Sequence, residues 1–419
     1  MTGLHDPLPL ECGQVLPNRL MKAALSEGLA AAGHGPDDRL VRLYGRWGSG
    51  GYGLVLTGNV MVDRRHIGEP GNVVVEDDRD LPGLERWAKA AQDGGTPIWM
   101  QLNHPGRQAN PLATRSRPVA PSAVALNLPG LPEPRVLGDE DIDDILARFA
   151  TTAAVAEAAG FNGVQIHGAH GYLVSQFLSP LSNRRDDAWG GDPDRRMRFV
   201  LEVVRRIRAA VAPGFAVGIK LNSADFQRGG FSEDESRGVL ERLAAERVDL
   251  IEISGGSYES PAMMGRPAQS ESTRAREAYF LSYAESARQI AGSVPLAVTG
   301  GFRSRAAMSE AVSSGACDVV GLGRPTAVDP DAGNAVRTGG GVVAAPRISI
   351  GLPGRLARNR TVKTVDGVLD LQWHTDQLHR LGAGREPAPR RSAWRTAITM
   401  IKRNGLDAFT TRRGTPSTR

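Results

Sequence analysis

Two histidines three residues apart and a tyrosine two further on, in the segment HGAHGYLVSQFLSP, carry the most pointed chemistry of the sequence: His167, His170 and Tyr172. One reading is metal ligation, but zinc needs a third protein ligand and no carboxylate or cysteine stands nearby. A second is a pair of imidazole donors gripping a carbonyl oxygen, with the Tyr172 hydroxyl as proton donor. A third is two histidines satisfied within a polar turn. The residues alone leave all three open.

Lys220 closes an apolar run, AVGIKL, where burial of an ammonium is costly unless an anion compensates. It offers either a Schiff-base amine or a positive charge facing an anionic cofactor ring. Gln101 and Ser26 supply amide and hydroxyl groups able to read the edge of a heterocycle, and Asn59 stands in the turn Thr57-Gly58-Asn59 at another strand end. Gly300 and Gly301, then Gly323 followed by Arg324, could cradle a phosphate through backbone amides and one forked guanidinium. The plainer reading is ordinary tight turns with Arg324 in a rim ion pair. Taken together, these groups favour a planar cofactor that carries a phosphate.

Such residues need a scaffold that brings distant segments to one place. Eight short aliphatic runs end in small or polar residues, at about 20–25, 54–58, 97–102, 163–167, 216–221, 249–253, 295–299 and 318–322. Between them lie helical patterns such as Asp37–Trp47, Leu81–Gln92, Glu140–Ala159, Asp194–Ala212, Glu233–Arg247, Glu277–Ala291 and Arg305–Ser314. Eight strand-then-helix units predict an α/β fold, a (β/α)8 TIM barrel, whose function sits at the carboxyl ends of the strands. Ser26, Asn59, Gln101, His167, Lys220, Ser254-Gly255-Gly256, Gly300 and Gly323 all stand at those ends. A doubly wound sheet is the runner-up. Its glycine fingerprint occurs only as Gly48-Ser-Gly50-Gly-Tyr-Gly53, after a helix and before a strand, which reads as a helix-ending turn. Asn103–Glu140 reads as an excursion over the barrel mouth, and Val365–Leu381 as one or two short elements.

The 419 residues carry a net charge of +5. From Arg385 onward nine basic residues face only Glu386 and Asp407, so the tail carries +7 and residues 1–384 carry −2. The basic surplus is therefore a property of an extension, 385–419, read as partly helical or disordered and attached to a barrel domain over 1–384; a specific nucleic-acid partner is not expected. Cys12 and Cys317 are the only cysteines and cannot supply the four thiolates of an iron–sulfur cluster. No apolar run is long enough to span a membrane, and the amino-terminal stretch lacks the look of a secretory signal, which favours the cytoplasm.

In consistent order from about Leu16 to about Pro330, the segments PNRLMKAALSEGLA, YGLVLTGNVMVD, QLNHPGRQ, HGAHGYLVSQFLSPLSNRRDDAWGG, GIKLNSADF, VTGGFRS and GLGRP resemble the old yellow enzyme family of FMN-dependent NAD(P)H:flavin oxidoreductases. The resemblance implies FMN across the barrel mouth, with Gln101 on the pyrimidine edge, Ser26 facing a ring carbonyl and Lys220 where many relatives carry arginine. It implies a phosphate held by Gly300, Gly301, Gly323 and Arg324, a substrate carbonyl held by His167 and His170, and Tyr172 as acid. The implied reaction is ping-pong reduction of an α,β-unsaturated carbonyl compound, with NADH or NADPH as hydride donor. Homo-oligomers occur in such families. Trp189 and Arg195 depart from the family pattern at positions of structural contact. The rival reading is a lyase or aldolase using Lys220 as a Schiff base.

Overall fold

The computed structural model describes residues 2–114, 116–126, 132–255, 280–340, 343, 346–349, 351 and 360–401. Gly256, the rim segment 257–276 and the chain beyond 401 lie outside the described residues. Eight parallel strands form the barrel: β1 (Leu20–Lys22), β2 (Leu54–Met61), β3 (Ile98–Asn103), β4 (Gly163–Gly168), β5 (Ala216–Asn222), β6 (Leu250–Ser254), β7 (Leu296–Thr299) and β8 (Val319–Leu322). Neighbours in sequence are neighbours in the sheet. The barrel closes where β8 pairs with β1, Gly321 beside Met21, and β1 with β2, Met21 beside Leu54.

The outer layer consists of α1 (Asp38–Gly48), α2 (Leu81–Gln92), α3 (Asp139–Ala158), α4 (Pro193–Ala210), α5 (Glu233–Ala245), α6 (Leu281–Ala291), α7 (Arg305–Ser313) and α8 (Arg360–Gly382). Local chemistry sets their starts. Asp192 accepts from Arg195 N with Pro193 next to it, and Ser232 and Glu235 form a reciprocal capping box. The glycine-rich segment after α1 is the helix-ending turn that its context predicts. Val365–Leu381 is a single helix, not two.

The strand interiors are apolar at the amino-terminal end of the barrel. Met21, Leu54, Leu56, Trp99, Ala216, Leu250, Ala297 and Val319 fill it, and the hairpin Leu8–Pro9 with Val15–Leu16 seals it from below. Trp99 fits because glycines flank it: a Cβ on Gly218 would lie 2.8 Å from its ring, and one on Gly163 would lie 3.0 Å from its Nε1. The opposite end is polar and open.

After α8 the chain turns into α9 (Ala393–Ile401). Trp373 Nε1 on α8 donates to Arg391 O at 2.9 Å, and Arg391 Nε meets Asp376 at 3.2 Å. Residues 383–386 are exposed, and the chain then returns to α8, where Ala388 N donates to Gln377 Oε1 at 2.7 Å. No helix among the described residues is long and apolar enough to cross a membrane.

Candidate active site

β4 delivers His167 at its end, and the turn after it carries His170 in the left-handed region at φ 60°. A non-glycine residue there is strained, and two bonds hold it: His170 N donates to Asn222 Oδ1 at 3.2 Å, and Gln108 Nε2 donates to His170 O at 2.9 Å. The His170 ring meets Ser254 Oγ through Nε2 at 2.8 Å. Ala169 N donates to His167 Nδ1 at 3.3 Å, which leaves the proton on Nε2 as a donor. The two rings lie 5.1 Å apart, and the Tyr172 ring stands 4.7 Å from His167, edge to face. Tyr172 opens the short helix Leu173–Leu178, and its hydroxyl accepts from Asn59 Nδ2 at 3.3 Å. Burial first, and then the nearby Lys220 ammonium, hold both imidazoles well below their usual titration range, so each is neutral and donates one proton.

Lys220 pairs in register with His167 on one side and with Glu252 on the other. Its ammonium lies 3.0 Å from Glu252 Oε1. Gln165 Nε2 donates to Glu252 Oε2 at 2.8 Å, and Gln101 Nε2 donates to Gln165 Oε1 at 2.7 Å. Four polar side chains from β3, β4, β5 and β6 thus span the interior just below the mouth. The anion that compensates Lys220 belongs to the protein. A lone polar letter inside an apolar strand, GVQIH and DLIEI, was the available signal for Gln165 and Glu252.

An open cleft with a cavity volume of about 170 Å3 lies above β1 and β6–β8, lined among others by Ala23, His170, Lys220, Thr299, Gly301 and Arg324. Gly300 and Gly301 take φ of 123° and 92°, a backbone that glycine adopts without strain. Arg324 Nη1 meets Asp370 on α8 at 2.9 Å, so the rim ion pair exists, and Nε and Nη2 remain available to the cleft. The Ser26 hydroxyl donates to Glu69 at 2.9 Å, and Ser26, like Asn59, Gln101, His167 and Tyr172, is not among the residues lining this cleft.

Another charged residue escaped the sequence reading. Lys22, fully buried on β1, donates to Leu56 O at 2.8 Å and sits 4.0 Å above the Trp47 ring. Burial lowers it to about 7, although Glu27 nearby works the other way. Trp189 and Arg195 build structure: Trp189 Nε1 reaches Asp139 at 3.0 Å, and Arg195 Nη1 donates to Asp186 O at 3.1 Å.

Outside the cleft, Asp63, His66 and His104 bring three possible metal ligands together. The Asp63 carboxylate accepts on both oxygens from Arg65, with Nε at 2.9 and 3.0 Å. Gly106 N donates to His104 Nδ1 at 3.1 Å, which leaves the proton on the Nε2 that faces Asp63 from 4.0 Å. His104 therefore presents no lone pair to a metal there.

Residues 4–339 match the family model described as NADH:flavin oxidoreductase / NADH oxidase family. The NADH-dependent flavin oxidoreductase iliE of Hypocrea jecorina is 42% identical over 354 residues, covering 79% of this chain and 88% of its own. Among solved structures, a morphinone reductase superposes with a TM-score of 0.67 at 26% identity, covering 82% of this chain and 92% of its own. An old yellow enzyme homologue of Zymomonas mobilis has the same fold, with a TM-score of 0.68 at 22% identity over 80% of this chain and 93% of its own. The chain belongs to the NADH:flavin oxidoreductase / NADH oxidase family, as an oxidoreductase of the old yellow enzyme type that works with FMN and NAD(P)H.

Proposed function

We propose that this flavoprotein reduces the C=C bond of α,β-unsaturated carbonyl compounds with NADH, the donor named for its iliE relative, in two half-reactions that share one site. The observation that carries this reading is the group His167, His170 and Tyr172: two neutral imidazoles 5.1 Å apart stand beside a tyrosine whose hydroxyl accepts a hydrogen bond from Asn59.

The residues present fit FMN. Among the described residues, Gly301, Gly323 and Arg324 have no acceptor for their main-chain N–H groups, and the buried Thr299 Oγ1 beside them has no partner. These groups, with Gly300 and the free guanidinium nitrogens of Arg324, suit a phosphate. Gln101 keeps its carbonyl oxygen and one N–H for a ring edge, is linked to Lys220 through Gln165 and Glu252, and has Asn59 as its register partner on β2. The Ser26 hydroxyl is engaged by Glu69, so a contact from it would require that bond to break. FMN held by these residues would supply the hydride transfer from nicotinamide to substrate.

The protein's own work is then local. His167 and His170 donate to the substrate carbonyl oxygen and stabilise negative charge as it develops there. Tyr172 delivers a proton to the α-carbon, and Asn59 orients its hydroxyl. Residues 1–384 form the unit that does this, with 385–419 as an appended tail. The ion pair with Glu252 disfavours the Schiff-base reading, since the Lys220 nitrogen is held 3.0 Å from a buried carboxylate that a carbonyl substrate would have to displace.

Replacement of Tyr172 by Phe is expected to slow reoxidation by an enone by about 100-fold or more, the usual worth of a general acid. Flavin reduction by NADH is expected to stay within about threefold, since no proton is delivered in that half. Anaerobic stopped-flow measurement of both halves decides it; equal slowing of both removes Tyr172 as the acid.

A further inference from the structure

We infer that Glu252 is a positioning residue of the cofactor site, which holds part of the Lys220 charge away from the flavin and so sets how strongly the ring accepts electrons. The inference rests on the reading that Gln101 and Lys220 face the pyrimidine edge.

Three observations lead to it. First, the ion pair is polarised. Lys220 lines the cleft while Glu252 is fully buried, so the positive end faces the mouth and the negative end faces the interior. Second, an ion pair at this depth adds little net stability over apolar packing, because desolvation offsets its attraction. Fold stability is thus a poor account of a carboxylate inside a barrel whose lower half is hydrocarbon. Third, the hydrogen bonds are directional. Gln101 donates to Gln165 and Gln165 donates to Glu252, so the donors run toward the carboxylate. The anion at the end of this chain fixes which way each amide points, and therefore which atoms of Gln101 remain for a ligand. Among the described residues the polar partners of the Glu252 carboxylate are Lys220 and Gln165, and its charge also bears on the buried Lys22, so Glu252 reaches the cleft through Lys220.

The consequence is electrostatic. A ring that accumulates negative charge at its pyrimidine edge is stabilised by Lys220 and destabilised by Glu252 lying behind it. Removing the carboxylate charge should leave the ammonium uncompensated and make the bound ring more electrophilic.

Sulfite reads this directly. Its sulfur lone pair forms an S–N bond to the oxidised ring, the ring takes up that pair, and one negative charge is left at the pyrimidine edge while the visible absorption bleaches. In the purified FMN-loaded protein, the sulfite dissociation constant of Glu252→Gln is expected to fall by about tenfold or more relative to the unsubstituted protein. Glu252→Asp keeps the charge but draws it back by one methylene, and is expected to give a fall of about threefold; it carries the test should the Gln variant fail to fold. Lys220→Met, measured in parallel, is expected to weaken sulfite binding. An unchanged constant in Lys220→Met overturns the placement of the ring and the inference with it. Weakened binding in Lys220→Met, together with unchanged or weakened binding in the Glu252 variants that fold, leaves the placement standing and overturns the role of Glu252.

Discussion

Arg324 gives one guanidinium nitrogen to Asp370 and keeps the others for the cleft, so a single side chain serves both the rim and the proposed phosphate site. Charge-assisted hydrogen bonds of this kind contribute roughly 1.5–3 kcal/mol, so Arg324→Ala is expected to raise the FMN dissociation constant by about 10- to 100-fold. Recovery of flavin fluorescence on dilution measures it, and undiminished retention after extensive dialysis would remove the contact. At this scale the sequence was legible where a residue type is rare. Only five lysines occur, and Lys220 stood out in an apolar run. Its partner Glu252 did not, because nothing in a linear pattern says that two register neighbours on β5 and β6 face each other inside the barrel. Ser26 is a different case: it lies beyond the end of β1 at Lys22, and the bond from its hydroxyl to Glu69 depends on a loop 43 residues away.

The elements themselves were readable. All eight strands fall within a few residues of their expected positions, because each aliphatic run stops at small or polar residues where the barrel opens. Helices α4 and α5 begin at caps visible as Asp-Pro and Ser-x-x-Glu. What the pattern hides is which strand residues face inward, since strands of a parallel barrel are buried on both faces and lose their alternation. Gly218 on β5 illustrates it. A methyl group there would meet the Trp99 ring at 2.8 Å and Leu250 O at 3.0 Å, with no cavity to absorb it. Overpacking of a full core costs roughly 1–3 kcal/mol, so Gly218→Ala is expected to lower the thermal midpoint by several degrees. Calorimetry of the FMN-loaded protein checks this, and an unchanged midpoint would mean that Trp99 moves freely.

Across the whole molecule, His66, His104, His167, His170 and His374 are all shifted downward by burial, His104 to about 3. In the unfolded chain each titrates near 6.5, so below that pH the unfolded state binds protons that the folded state refuses. Stability therefore falls as pH drops through about 6.5, by up to about 1.4 kcal/mol per pH unit for each histidine that stays neutral. Asp63, lowered to about 2 with its side chain held by Arg65, adds stability above about 4 that is lost only at lower pH. The urea midpoint is expected to be clearly lower at pH 5.5 than at pH 7.5; equal midpoints would mean that these imidazoles are reached by water. The tail that dominates the charge count is joined to the same body through α8, which His379 ties to Glu27 O at 2.9 Å and Gly382 O ties to Arg42 at 2.9 Å. Asp370, in the middle of that helix, is the residue that holds Arg324. A helix formed late in the chain thus works as a latch on the mouth of a barrel completed before it: when warming peels α8 from α1, the arginine loses its brace, and the yellow cofactor should escape before the barrel itself melts.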